Sequence, residues 1–141
     1  MRPLTHKIYL LGQVLSSSAD RLLRARFGLG FNGYMALHAL ENVRQCSQAQ
    51  LAGFVGITEA GISRIVTRLA GEGLLETATD PSNRRRTLLV LTPKGAELVQ
   101  KASSLLEELF GRKAERAVTR EDLQTFERAL DAILAIMEQK Q

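Results

Sequence analysis

Three residues at fixed spacing constrain this chain more tightly than its composition does. Ala52 is a small residue, Gly56 follows four positions later, and the branched apolar Ile62 lies ten positions after Ala52. Two helices cross closely only where a small side chain faces the crossing, and Ala52 supplies one. The tight turn between them needs a residue that tolerates left-handed backbone geometry, which Gly56 provides. Ile62 then packs the second helix back on the first. This is the spacing of a helix-turn-helix. The flanking residues agree with it. Ser47 and Gln50 match a capping box that opens the first helix. Thr58 caps the second, which runs to Gly71-Glu72-Gly73.

The remainder also reads mainly as helix. From Thr5 to Phe27, Ile8, Leu11, Leu15, Leu22 and Leu23 recur at near-helical spacing, and Gly28-Leu29-Gly30 ends the pattern. A second helix is expected from about Asn32 to Arg44. After the helix-turn-helix, Leu74–Thr79 and Thr87–Leu91 are strand-like and flank Asp80-Pro-Ser-Asn-Arg-Arg-Arg86, which reads as a hairpin with an extended loop. Thr92-Pro93 opens a long helix to about Phe110. Thr119 and Asp122 match another capping box ahead of a last helix carrying Leu123, Phe126, Leu130, Ile133, Leu134 and Met137 on one face. The expected fold is therefore mostly α (α+β): a winged helix-turn-helix over 32–95, with helices at 1–31 and 96–141 left to bury their own stripes. The simplest partner for those stripes is a second copy, so they are expected to form a dimerisation lobe.

Composition removes several alternatives. The 141 residues suit one domain, or a small domain plus an oligomerisation lobe, and 45% hydrophobic with 24% charged residues is a globular balance. No apolar run approaches the roughly 18 residues that cross a bilayer, and no signal-peptide pattern opens the chain, so a cytoplasmic protein without a membrane partner is expected. The single cysteine, Cys46, excludes an intrachain disulfide framework. With only His6 and His38 beside it, no metal site and no cofactor are expected. There is no Gly-rich phosphate loop, metal-ligand spacing or nucleophile elbow, so no catalytic residue is assigned and the chain is not expected to be an enzyme.

Charge position is more informative than net charge. Residues 1–44 carry six Lys/Arg against two Asp/Glu, residues 45–94 six against four, and residues 95–141 seven against nine. Basic charge thus lies in the first two thirds. On a helical wheel for the second helix of the pair, Ile62, Ile65, Val66 and Leu69 share one arc. Ala60, Ser63, Arg64 and Thr67 lie opposite, with Arg68 beside them. A helix in a major groove needs this division, with short polar groups and an arginine facing base edges. Arg84, Arg85 and Arg86, expected at the tip of the ribbon, suit phosphates or a narrow minor groove, because guanidinium groups are weakly hydrated. With Ser47 and Thr58 at the two helix N-termini, these residues form the candidate DNA-contact set.

The stretch Ser47-Gln-Ala-Gln-Leu-Ala, Gly56-Ile-Thr, Ile62-Ser-Arg-Ile-Val-Thr-Arg-Leu69, Glu72-Gly-Leu-Leu75, Asp80-Pro-Ser-Asn-Arg-Arg and Leu91-Thr-Pro-Lys-Gly95 closely resembles MarR-type regulators, over 47–95 above all. The resemblance implies a homodimer whose terminal helices form the dimer lobe and whose winged domains bind a pseudo-palindromic double-stranded operator. It implies a repressor of nearby genes, released by a small aromatic or phenolic effector or by oxidation. Ser63, Arg64 and Thr67 match recognition-helix positions, Arg85 the wing arginine with Arg84 beside it, and Asp80 the acidic residue opening the wing. Asn83 stands where the family often has an acid, so wing bracing falls to Asp80 and an uncharged Asn83. The family's effector pocket makes Tyr9, Gln13, Tyr34 and His38 its candidates here.

Two alternatives stand beside this reading. One is a winged-helix adaptor that binds proteins, which the arginines at two separate points argue against. The other is a thiol-based regulator using Cys46, whose position beside a helix N-terminus would lower its pKa.

Overall fold

The computed structural model describes residues 1–139; Lys140 and Gln141, the last two of the expected 96–141 segment, lie outside it. The elements run α1 (Leu4–Phe27), α2 (Phe31–Val43), β1 (Gln45–Cys46), α3 (Gln48–Val55), α4 (Glu59–Gly71), β2 (Leu75–Asp80), β3 (Asn83–Leu91), α5 (Pro93–Ala114) and α6 (Arg120–Glu138). They divide into two compact units, Met1–Ser103 and Ser104–Gln141.

In the first unit, the core combines Leu23 of α1, Leu37 and Leu40 of α2, Leu51 of α3, Ile62 and Leu69 of α4, Leu75 of β2 and Val99 of α5, all essentially fully buried. The C-terminal half of α1 thus belongs to this core, with Ala19 and Leu23 buried, although residues 1–31 were expected in a separate lobe. The N-terminal half is exposed at Ile8, Leu11, Val14 and Leu15.

Side-chain caps set most helix starts. Ser47 accepts the Gln50 N–H at 3.2 Å while the Gln50 side chain accepts the Ser47 N–H at 2.9 Å. Thr58 Oγ1 accepts the Gly61 N–H at 3.1 Å. Gly56 closes α3 at φ 78°, in the left-handed region that glycine enters freely. The start of α2 is capped from another helix: Asp20 Oδ1 on α1 accepts the Phe31 N–H at 2.9 Å, and its Oδ2 accepts from Arg24 Nε at 2.8 Å.

The sheet is antiparallel in the order β1-β3-β2. β1 was not expected. It is two residues long, too short for a periodic signal, and exists through Gln45↔Val90 and Cys46↔Leu89 pairing. The hairpin also differs from expectation. The β2–β3 ladder is regular from Leu75↔Leu91 to Thr79↔Thr87 and then jumps to Asp80↔Asn83. The turn is therefore Pro81-Ser82, and Arg84–Arg86 lie within β3 as a bulge between two pairings instead of in an extended loop. Asp80 Oδ1 closes the turn early, accepting the Ser82 N–H at 2.9 Å and hydroxyl at 2.7 Å.

Thr92-Pro-Lys-Gly95 forms a clamp on the turn after α4. Thr92 Oγ1 donates to the Gly73 carbonyl at 2.7 Å and accepts the Gly95 N–H at 3.1 Å, which caps α5. Lys94 Nζ donates to the Glu72 carbonyl at 2.8 Å.

In the second unit, α6 opens on the expected box, with Thr119 Oγ1 accepting the Asp122 N–H at 3.1 Å. Leu123 and Leu130 are half-buried, whereas Phe126, Ile133, Leu134, Ile136 and Met137 are exposed.

Candidate nucleic-acid interface

Helix α4 divides as its sequence requires. Ile62, Val66 and Leu69 are buried and Ile65 is half-buried; Ala60, Arg64 and Thr67 are exposed, with Ser63 half-buried. Thr67 Oγ1 donates to the Ser63 carbonyl at 2.9 Å, which lays this hydroxyl along the helix. Small side chains at 60, 61 and 63 leave the backbone accessible from this side. The Ser47 and Thr58 hydroxyls act as helix caps.

The arginines separate into two groups. Arg68 donates from Nη2 to the Gly28 carbonyl at 2.6 Å and from Nε to Glu72 at 3.2 Å, so it ties α4 to the end of α1. Arg86 donates from Nη2 to Gln50 Oε1 on α3 at 3.0 Å. Among the described residues, no ion pair or hydrogen bond engages the guanidinium groups of Arg64, Arg84 or Arg85. Arg64 is exposed on α4, and Arg84 and Arg85 are exposed on the β3 bulge.

Asp80 is buried to 8% exposure, and its carboxyl is held below the usual range by the Ser82 hydroxyl and N–H, with the Arg86 charge adding to them. Asn83 Oδ1 accepts the Arg85 N–H at 3.1 Å, so its amide braces backbone instead of pairing with a guanidinium.

Cys46 does not fit the thiol reading. It is buried on β1 at 3% exposure, and burial pushes its pKa up, opposite to the lowering expected beside a helix N-terminus. A protonated, enclosed thiol is a poor nucleophile, so the redox alternative is not favoured.

The four effector candidates form two pairs in different surroundings. Gln13 Nε2 donates to Tyr9 Oη at 2.9 Å on the exposed side of α1. Tyr34 is buried, its hydroxyl 2.8 Å from Ser103 Oγ, and its ring stacks on His38 with centroids 5.7 Å apart. His38 Nδ1 is buried without a hydrogen-bond partner. Among the described residues, no hydrogen bond or ring contact joins the two pairs.

Sequence reasoning missed the Asp20 cap of α2, the Arg68–Gly28 tie and the Arg86–Gln50 contact. Each joins residues distant in sequence. Gln50 alone had a local signal, as a capping residue.

A helix-turn-helix followed by an antiparallel ribbon with unengaged arginines defines the winged helix-turn-helix class. Residues 27–86, under half of the chain, match the family model described as "MarR family". A 63-residue stretch is 36% identical to the HTH-type transcriptional regulator BilQ of Clostridium symbiosum, covering 45% of this chain and 44% of that protein. A 66-residue stretch is 35% identical to the HTH-type transcriptional repressor NicR of Pseudomonas putida, covering 47% of this chain and 42% of that protein. These matches thus span less than half the length of the curated relatives. In fold, the chain resembles apo MarR from E. coli with TM-score 0.86 at 19% identity, over 95% of this chain and 98% of that one. A MarR family transcriptional regulator from Silicibacter pomeroyi gives TM-score 0.78 at 25% identity, over 94% of this chain and 88% of that one.

Proposed function

We propose that this protein is a homodimeric DNA-binding transcriptional repressor whose two winged domains read a pseudo-palindromic operator. The observation that carries the reading is the set of unengaged guanidinium groups, Arg64 on the polar face of α4 and Arg84 and Arg85 on the bulge of the adjoining ribbon. In this reading α4 enters the major groove, with Ala60, Ser63, Arg64 and Thr67 toward base edges and the N-termini at Ser47 and Thr58 toward phosphates. Arg84 and Arg85 then reach the flanking minor groove or its phosphates. The exposed apolar residues of α1 and α6 supply the dimer contacts. Release is assigned to a small aromatic or phenolic effector, a role supported by the Tyr34–His38 stack, whose His38 Nδ1 makes no hydrogen bond and has Glu41 Oε2 at 3.8 Å.

The test is a salt-titrated binding assay on DNA upstream of the protein's own gene, with random duplex as competitor. The expected result is binding that outlasts the competitor and strengthens steeply as salt falls. In Arg85→Ala, affinity drops across sequences and the log–log salt slope falls by roughly one per subunit. An Arg85→Ala protein with unchanged affinity and slope overturns the wing assignment. Equal binding to both duplexes, with partner proteins captured instead, favours the adaptor.

A further inference from the structure

The three successive arginines of β3 do not have equal surroundings. The register jump from Thr79↔Thr87 to Asp80↔Asn83 leaves all three outside the regular ladder, so the backbone alone does not fix the direction of this segment. Something else has to hold it. Arg86 is the arginine with a partner outside the ribbon: its Nη2 lies 3.0 Å from Gln50 Oε1, thirty-six positions away on α3. The same Oε1 accepts the Ser47 N–H at 2.9 Å. One amide oxygen therefore both closes the capping box of the first helix of the helix-turn-helix and takes a charge-assisted bond from the base of the wing. At the other end, Arg86 lies close enough to the buried Asp80 for its charge to act on that carboxylate.

We propose that Gln50 and Arg86 form a strut that sets the wing relative to the helix-turn-helix, making Gln50 a positioning residue for DNA binding and leaving Arg84 and Arg85 as the wing's contacts. The proposal rests on the DNA-binding reading above. A bulged ribbon held at its base presents its two free arginines at one angle, so less freedom is lost on binding. The bond joins a cation to a neutral amide on an exposed surface, a weak tie in energy that acts through geometry.

Four variants decide it, measured on the duplex that the wild-type protein selects from a randomised pool: Gln50→Ala, Gln50→Glu, Arg86→Ala and the Gln50→Ala/Arg86→Ala double. Gln50→Ala is expected to weaken binding by about three- to tenfold, the span of one net hydrogen bond, and to have no further effect in an Arg86→Ala background. Gln50→Glu keeps both the capping acceptor and the bond to Arg86, so its affinity stays within about twofold of wild type. If Arg86 is itself a phosphate contact, the outcomes reverse. Gln50→Glu then draws the guanidinium away from DNA and weakens binding, Arg86→Ala lowers the salt slope by about 0.9 per subunit, and the strut is overturned. Thermal unfolding of the free variants shows whether each is folded at the assay temperature. Failure of the DNA-binding reading looks different, because the wild type itself then selects no duplex.

Discussion

Gly95 shows how a single missing side chain fixes the junction between the wing and α5. A Cβ built there would lie 2.0 Å from the Leu74 carbonyl oxygen and 2.7 Å from Leu91 Cδ1. The first neighbour is backbone, held by the Thr92 N–H at 3.2 Å, and cannot rotate away. Gly95→Ala is therefore expected to destabilise the protein by at least the roughly 1–3 kcal/mol of an overpacked core, read by chemical denaturation. Gly53 provides the comparison: it lies inside α3 with nothing within 4 Å of an added Cβ. Gly53→Ala is expected to gain up to about 1 kcal/mol from helix propensity alone. Similar effects at the two positions contradict the assignment of Gly95 to a close backbone approach. The Leu-Thr-Pro-Lys-Gly signature was legible as a helix start. That its glycine answers to a carbonyl twenty-one positions earlier was not, because nothing local encodes that approach.

At the scale of elements, local signals were read well and long-range ones poorly. Capping boxes at Ser47 and Thr119, the Thr58 cap and the Gly56 turn lie within a few residues of the groups they satisfy, and all were legible. Strand β1 was not, since a two-residue strand has no period and is defined by its partner. The wing bulge was missed for a related reason: turn-forming residues announce a turn, but the Asp80 side chain decides where it closes. Helix α2 carries the clearest consequence. Its N-terminal cap comes from Asp20 on α1, whose carboxyl is held below the usual range first by Arg24 and then by the Phe31 N–H. A carboxylate with a depressed folded pKa stabilises fully above its unfolded pKa, near 4, and that contribution is lost as pH falls through the folded value. Asp20→Asn retains an acceptor but titrates nothing. It should lack the ionic contribution at neutral pH, and so be less stable than wild type there, but show a shallower decline below about pH 4; Asp20→Ala should cost about 1 kcal/mol throughout the neutral range. Parallel acid-unfolding profiles for wild type and Asp20→Asn are the result that removes Asp20 from this role.

For the whole molecule, two apolar surfaces still need a partner. On α1, Ile8 is 48% exposed, Leu11 40% and Leu15 39%; on α6, Leu134 is 52% exposed and Met137 67%. Their spacing follows a helical stripe on each helix, as the hydrophobic pattern in sequence required, but no pattern within one chain says what covers it. Isolated exposed apolar residues are ordinary on a protein surface, whereas stripes of them mark association. The proposed homodimer covers both with identical copies, and a stable interface of that kind buries about 1,200–2,000 Å² in total. Sedimentation should therefore give a species of twice the 15.6 kDa chain mass. Replacing Leu134 with Glu places a charge on one stripe and is expected to shift the equilibrium to monomer, as Leu15→Glu does for the other. Unfolding midpoints should then cease to rise with protein concentration. Operator binding should fall by far more than the loss of one phosphate contact, because a monomer meets one half-site and each half must be bound independently. A Leu134→Glu protein that remains a dimer places the interface away from α6. A wild-type protein that sediments as a monomer at all concentrations removes the symmetry on which a two-half-site operator depends.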